Sequence, residues 1–361
     1  NDSNSILTLT TGTGAATVSL AAGKDKMIYN DGSDEIHDAL ANLAITTIAT
    51  SGVATITGAL TSGAGGTIGA AGTATSLAGI PHLTEDNSIY IGSAPTASSN
   101  TAADNVAIGM GAIDAITTGD KNIGIGRNAG GALTTGDRNV FIGSESGDAA
   151  TEASQNTGVG NDAFTSLTDG DHNVGIGVNV FAALTTGNRN ISIGQTSSDG
   201  FDTENDNLAI GTGALGGAVA GGEHNTAIGN NTLDALTSGD ENIAIGFNAG
   251  TAHTTAGNNI YIGVEAGAAV TTGGNNILVG HRAGDAFDTE VNNLALGNNA
   301  LGGPVAGGEY NVAIGNNTLD ALTSGDNNVA MGYNAGTAVT TGGGNVAVGY
   351  NAGTANLTGA G

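Results

Sequence analysis

The sequence predicts an all-β fold, a parallel β-solenoid of about 16 coils of 17 residues, with a short mixed N-terminal neck. Three observations predict it. A pentapeptide, N-x-x-[ILVM]-G, recurs at Asn105, Asn122, Asn139, Asn156, Asn173, Asn190, Asn207, Asn225, Asn242, Asn259, Asn276, Asn293, Asn311, Asn328 and Asn345. Its steps are 17 residues except for two of 18, and Ser88 in "SIYIG" stands one step earlier, giving 16 units from Ser88 to Gly361. Within each unit apolar and small residues alternate with the period of a strand. The composition lacks a large core: of 361 residues 64 are Gly, none is Trp, and aromatics are 3%. A thin core repeated many times accommodates such a chain.

With Asn numbered 1, position 2 is apolar or Thr (Val106, Ile123, Val140) and position 4 is nearly always Ile (Ile108, Ile125, Ile142). Position 3 is mostly small (Ala107, Gly124, Gly175) and faces the opposite way from 2 and 4. Position 5 is Gly in every unit (Gly109, Gly126, Gly143), which implies positive φ or a backbone approach too close for a Cβ. A second apolar column falls at position 12 (Ile116, Leu133, Leu167), before a "TTG" or "TSG" turn. Stacked at about 4.8 Å per coil, sixteen coils span roughly 75 Å. Stacking places Asn over Asn, so their amides are expected to bond in a ladder along the axis. A longer repeat is superposed: the block beginning at Phe201 recurs at Phe287, 86 residues on, each with one 18-residue unit containing "GGAVAGGE" or "GGPVAGGE". The extra residue reads as a bulged outer turn.

Residues 1–86 form the neck and 87–361 the solenoid. In the neck, "SILTLTTGTGAATVSLAAG" reads as a hairpin or wound strands, and "SDEIHDALANL" as a short helix over 33–44, from the spacing of Ile36, Leu40 and Leu43. The stretch from Gly52 has strand alternation, and the Gly-rich run after it reads as flexible or tightly turned. The neck is expected to join the solenoid to another part and to set chain register. The chain begins at Asn1 without an initiator Met and ends on a coil with no polar cap. A processed or longer chain is therefore expected, with more chain or an abutting protein after Gly361.

Thirty-three acids against seven bases give a net charge of −26. That argues against nucleic acid and anionic membranes as partners. No Cys is present, so disulfides and thiolate metal sites are excluded. No apolar run is long enough to insert in a membrane. His253 lies in the apolar column 12 and reads as a packed or capped imidazole; His172 and His224 share a column three coils apart, too far to share a metal. Turn acids Asp120, Asp137, Asp171, Asp240 and Asp326 stack, followed by Lys121, Arg138, His172 and Arg189, whose alternating charge is expected to relieve repulsion. Later coils replace the bases with Glu241, Asn258, Asn275 and Asn327, whose acid and amide oxygens suit Ca²⁺, a hard cation, although no EF-hand loop is present. "NDGSDE" gives a faint cation-loop match with Asp31 and Asp34 as its ligands; solvated turn acids are the favoured reading. Glu145 and Glu265 share a column too many coils apart for an acid–base pair, and no nucleophilic triad is evident. No enzymatic activity and no resident cofactor are expected.

The N-x-V-A-I-G strand followed by small residues and a Gly-rich turn resembles the head repeats of YadA-type trimeric autotransporter adhesins. The resemblance covers Ser88–Gly361, with a longer unit than the family's usual one and without its membrane-anchor barrel. It implies a left-handed parallel β-roll in a homotrimer. Small residues at position 3 would let three backbones approach, and sharing a face would add burial to a poor core. "LTEDNSIYIGSAP" followed by "DALTSGD"-type units resembles structural and tail-fibre proteins of tailed bacteriophages. This implies a virion fibre acting as rigid spacer and host-surface adhesion element, attached to other virion proteins at its N-terminal end. The alternative is a bacterial cell-surface adhesin or extracellular filament subunit. Phe141, Tyr261, Phe247, Tyr333 and Tyr350 are candidates for contact with surface glycans, the first two being favoured as interface packing. Paired threonines such as Thr117/Thr118 and Thr134/Thr135 raise an ice-binding reading, weakened by the interruptions Asp169 and Ala256.

Overall fold

The structure is a computed structural model. It describes residues 7–10, 17–20, 28–30, 36–38, 82–85, 87–92, 95–96, 101–217, 221–303 and 308–354. The chain divides into two units, Asn1–Gly69 and Ala70–Gly361.

In the first unit, β1 (Leu7–Thr10) pairs antiparallel with β2 (Thr17–Leu20), as the Leu/Thr alternation predicts. β3 (Ile28–Asn30) pairs antiparallel with β4 (Ile36–Asp38). The helix expected over 33–44 is corrected here: Ile36 pairs with Asn30 and Asp38 with Ile28 in a strand ladder. Three apolar residues over eleven positions make a marginal helix in isolation; cross-strand pairing with Ile28 and Tyr29 satisfies the same backbone. The remaining residues of 33–44, both cation-loop acids (Asp31 and Asp34), and the segments from Gly52 to Gly79 lie outside the described residues.

In the second unit, β5 (His82–Glu85) lies antiparallel on β6 (Ser88–Gly92), so the sheet begins a few residues before the expected boundary at 87. From β6 onward every strand is parallel to the next: β7 (Val106–Gly109), β8 (Ile123–Ile125), β9 (Val140–Ile142), and so on through β21 (Val346–Val348). The sixteen strands β6–β21 form a parallel β-solenoid. Ile108 stands beside Ile125, and Ile125 beside Ile142. Register holds across both 18-residue units, where Leu208 pairs with Thr226 and Leu294 with Val312. The bulge expected in these units falls on 218–220 and 304–307, outside the described residues.

The coils are stitched on every side. Val106 N–H donates to Asn122 O (2.8 Å), Gly126 N–H to Ile108 O (2.8 Å), Ile113 N–H to Ala129 O (3.1 Å), Thr117 N–H to Thr134 O (2.9 Å) and Arg138 N–H to Asp120 O (2.9 Å). The position-5 glycine is required twice over. Gly126 has φ +136°, and a Cβ there would stand 2.3 Å from Gly143 O in the next coil. Turn position 9 also lies in the left-handed region, and it is occupied by Ile113 (φ 47°) and Phe164 (φ 61°) as well as by glycines. An L-residue there carries backbone strain, most of all β-branched Ile113.

Core packing explains why such residues are tolerated. Position 3 points into the coil, not outward: Ala107, Phe141, Ala209 and Tyr261 are buried. This corrects the expectation that its small side chains would let neighbouring chains approach. Positions 3 and 9 share one space and exchange bulk between them. Where position 3 is Phe141, position 9 is Gly147, whose added Cβ would meet the Phe141 ring at 2.5 Å. Where position 9 is Phe164, position 3 is Gly158 and, in the next coil, Gly175, with clearances of 2.9 and 2.6 Å to that ring. The core therefore keeps its density with either side supplying the large residue.

Candidate functional site: side-chain ladders and the outer strand face

Each position-1 Asn is buried and bonded to its neighbours. Asn122 N–H donates to Asn105 Oδ1 (2.8 Å), and Asn122 Nδ2 donates to Gly136 O of its own coil (2.9 Å). The pattern repeats through Asn139, Asn156, Asn173 and Asn190. From Asn105 to Asn328 both ends of each amide are used, so an amide is demanded where a carboxylate or hydroxyl would leave a group unpaired. The ladder expected from sequence is present. Gly109, Gly126 and Gly143 sit in its turns, and Ile108, Ile125 and Ile142 flank it on the outer side.

A second ladder runs up position 16. Ala103 N–H donates to Asp120 Oδ1, and Asp120 N–H to Asp137 Oδ1, both at 2.7 Å. Ser154, Asp171, Asn188 and Asn205 continue it. The turn acids are backbone acceptors, not merely solvated charges, and no ion pair joins them to Lys121 or Arg138 among the described residues. The ion pairs lie elsewhere: Arg127 with Glu145, Arg282 with Glu265 (2.6 Å), and Arg189 with Asp206 through two bonds of 2.7 Å. The Asp206 carboxyl is held below its ordinary value by the Arg189 hydrogen bonds. Position-13 threonines form a third ladder, Thr117 and Thr134 each donating a hydroxyl to the next coil's carbonyl. Those protons are spent on the backbone, which weakens the ice-binding reading further.

Two buried acids went unnoticed in the sequence. Glu204 and Glu290 occupy position 15, otherwise Gly or Ala in most coils, and are 2% exposed. Glu204 Oε2 accepts from Asp202 N–H (2.6 Å) and Thr203 N–H (3.0 Å), and Oε1 from Gly221 N–H (2.9 Å). The Glu204 carboxylate thus ties the coil before the first 18-residue unit to that unit, and Glu290 Oε2 likewise accepts from Asp288 N–H (2.6 Å). The signal was "DTE" replacing "TTG" at the same place in both blocks. Position 10 carries another missed signal. It reads Asp114, Gly131, Asp148, Thr165, Ala182, then Asp199, Gly216, Asp234, Thr251, Ala268, then Asp285, Gly302, Asp320, Thr337. The order Asp, Gly, Asp, Thr, Ala thus stands twice in full in this column, and its first four residues a third time before Thr354 breaks it. Partial burial raises the carboxyls of Asp148, Asp199, Asp285 and Asp320 above their ordinary value.

The outer face belongs to positions 2 and 4. Ile191 and Ile193 are 41% and 36% exposed, while Ser192 between them is 0%. Ile108, Ile176, Ile210, Ile243, Ile262 and Ile277 are exposed in the same two rows. Phe141 and Tyr261 are packed, as favoured, but inside the coil and not at an interface. Phe247, Tyr333 and Tyr350 are exposed at position 6, and the two tyrosine rings stack at 5.7 Å. His253 is packed, as its column predicts, with Nε2 2.7 Å from Ala256 O. Among the described residues no three His, Asp or Glu side chains converge to hold a metal, and no helix is long and apolar enough to cross a membrane.

Fold and ladders together define a repeat protein of the parallel β-solenoid class. Against known proteins, the chain matches no family model, no curated protein and no solved structure.

Proposed function

We propose that the chain is a rigid structural fibre segment that associates with copies of itself, working as spacer and adhesion element of a virion. The observation that carries self-association is the outer strand face. Two apolar rows continue over about 75 Å and about 10 Å of width, on the order of 750 Å². That exceeds the largest patch of a typical monomer, about 300–600 Å², and approaches the ~800 Å² per partner of a stable interface. A second copy of the same face matches it in length and period, coil for coil. Three copies, in place of two, rest on the resemblance to trimeric adhesin heads. The resemblance of Leu83–Pro95 to tail-fibre proteins supports the virion; the "NVAIG" strands at Asn105 and Asn311 support the rival, a bacterial surface adhesin or extracellular filament. Exposed Phe247, Tyr333 and Tyr350 supply aromatic faces for surface glycans, and the N-terminal unit supplies the attachment to other virion proteins.

Sedimentation equilibrium tests the assembly. Three times the 34.7 kDa chain mass is expected, and Ile176→Asn with Ile193→Asn should shift the protein to single chains with an unchanged circular dichroism spectrum. A monomeric parent protein would overturn the assembly. Immunogold labelling of purified virions against labelling of cell envelopes separates the two settings.

A further inference from the structure

The interior of the coil from Asn242 to Asn258 is built differently from its neighbours. Column 12 holds Leu236 one coil before and Val270 one coil after, but His253 between them. The imidazole is 0% exposed. Its Nε2 lies 2.7 Å from Ala256 O, so Nε2 carries the proton and donates it. Nδ1 then faces the Tyr261 hydroxyl at 3.4 Å, from the next coil, and accepts. The Tyr261 ring fills room left by two glycines: a Cβ on Gly250 or Gly267 would meet it at 2.6 or 2.7 Å. The neutral pair is thereby satisfied and packed.

A protonated imidazole has no counter-charge there. Burial is the main cause that lowers the His253 pKa, partly offset by the Ala256 carbonyl, and no charged side chain contributes. Burial also drives the Tyr261 pKa up, so its hydroxyl stays neutral and offers no anion. The acids of these coils sit on outer positions: Asp234, Asp240 and Glu241 are exposed, and Glu265 is engaged by Arg282. The unfolded segment binds the proton at an ordinary histidine value, about 6.5, and the folded one binds it less readily. The contribution of His253 to stability is therefore complete above that value and is lost as pH falls below it.

We propose that the His253–Tyr261 pair is an acid-labile joint, at which the rod opens locally over residues 242–275 while its other coils remain stacked. Solenoid stability is a sum of neighbour terms, so one weakened interface yields without unfolding the whole. Hydrogen–deuterium exchange of the full chain at pH 7.5 and pH 5.0, corrected for intrinsic rates, tests this. Peptides from 242–275 should lose at least tenfold in protection at pH 5.0, and those from 105–190 should not. His253→Leu and His253→Val, which restore residues native to the column, should abolish the difference. Equal protection at both pH values, a loss spread evenly along the rod, or persistence of the effect in both variants would overturn the proposal.

Discussion

Asn139 donates its backbone N–H to the side-chain oxygen of Asn122 at 2.8 Å, one coil away, while its own side-chain nitrogen reaches Ala153 O at 2.6 Å. One residue type thus bonds along the rod and across the coil at once. Asn139→Ala strands both the Ala153 carbonyl and the next coil's N–H in a buried place, at about 1–3 kcal/mol for each group. Asn139→Asp should be worse, because it sets a carboxylate against that carbonyl. Urea unfolding followed by circular dichroism should order the midpoints parent, then Ala, then Asp.

The position-16 ladder needs an acceptor, not a charge. Asn188 and Asn205 already fill it natively. Asp137→Asn should leave stability within about 0.5 kcal/mol, whereas Asp137→Ala should cost about 1 kcal/mol by freeing the Asp120 N–H. Equal loss in both variants would mean that charge matters there.

Bulk exchange between positions 3 and 9 predicts a strong coupling. Phe141→Ala should cost about 3–5 kcal/mol. Gly147→Ala should destabilise as well, since its new Cβ meets the Phe141 ring at 2.5 Å. The double variant should be far less damaged than the sum, because the methyl then enters the vacated space. Additive losses in a double-mutant cycle would refute the shared space.

Partial burial raises the carboxyls of Asp199 and Asp320. The folded state therefore holds their protons more tightly than the unfolded chain does. Their contribution favours folding below the ordinary carboxylate value and is lost as pH rises through the raised one. At neutral pH both ionised groups oppose folding, alongside a net charge of −26. Asp199→Asn with Asp320→Asn should raise the thermal midpoint at pH 7, and added salt should narrow the gap. No gain at low salt would contradict this.

The period, strand position, Asn ladder and invariant Gly were legible in the sequence because each is one residue type recurring at one spacing. The direction of position 3 was not. Ala and Gly fit equally well against a neighbouring chain or inside a thin coil, and only the large residues Tyr90, Phe141, Tyr261 and Leu278 in that column betray an interior. Glu204 and Glu290 were hidden because a lone Glu at a turn looks solvated until its N–H donors are placed. The 36–38 strand was misread because Ile36, Leu40 and Leu43 satisfy a helical spacing that local pairing with Ile28–Asn30 overrides.

Coil stacking is tested most directly by distances along the rod. The chain has no native Cys, so Thr118, Thr203 and Thr289, exposed and successively five coils apart, accept spin labels cleanly as cysteine variants. Double electron–electron resonance, with labelled chains diluted in unlabelled ones, should give about 24 Å for Thr118–Thr203 and about 48 Å for Thr118–Thr289. Broad distributions, or a second distance that is not about twice the first, would contradict the stacked rod.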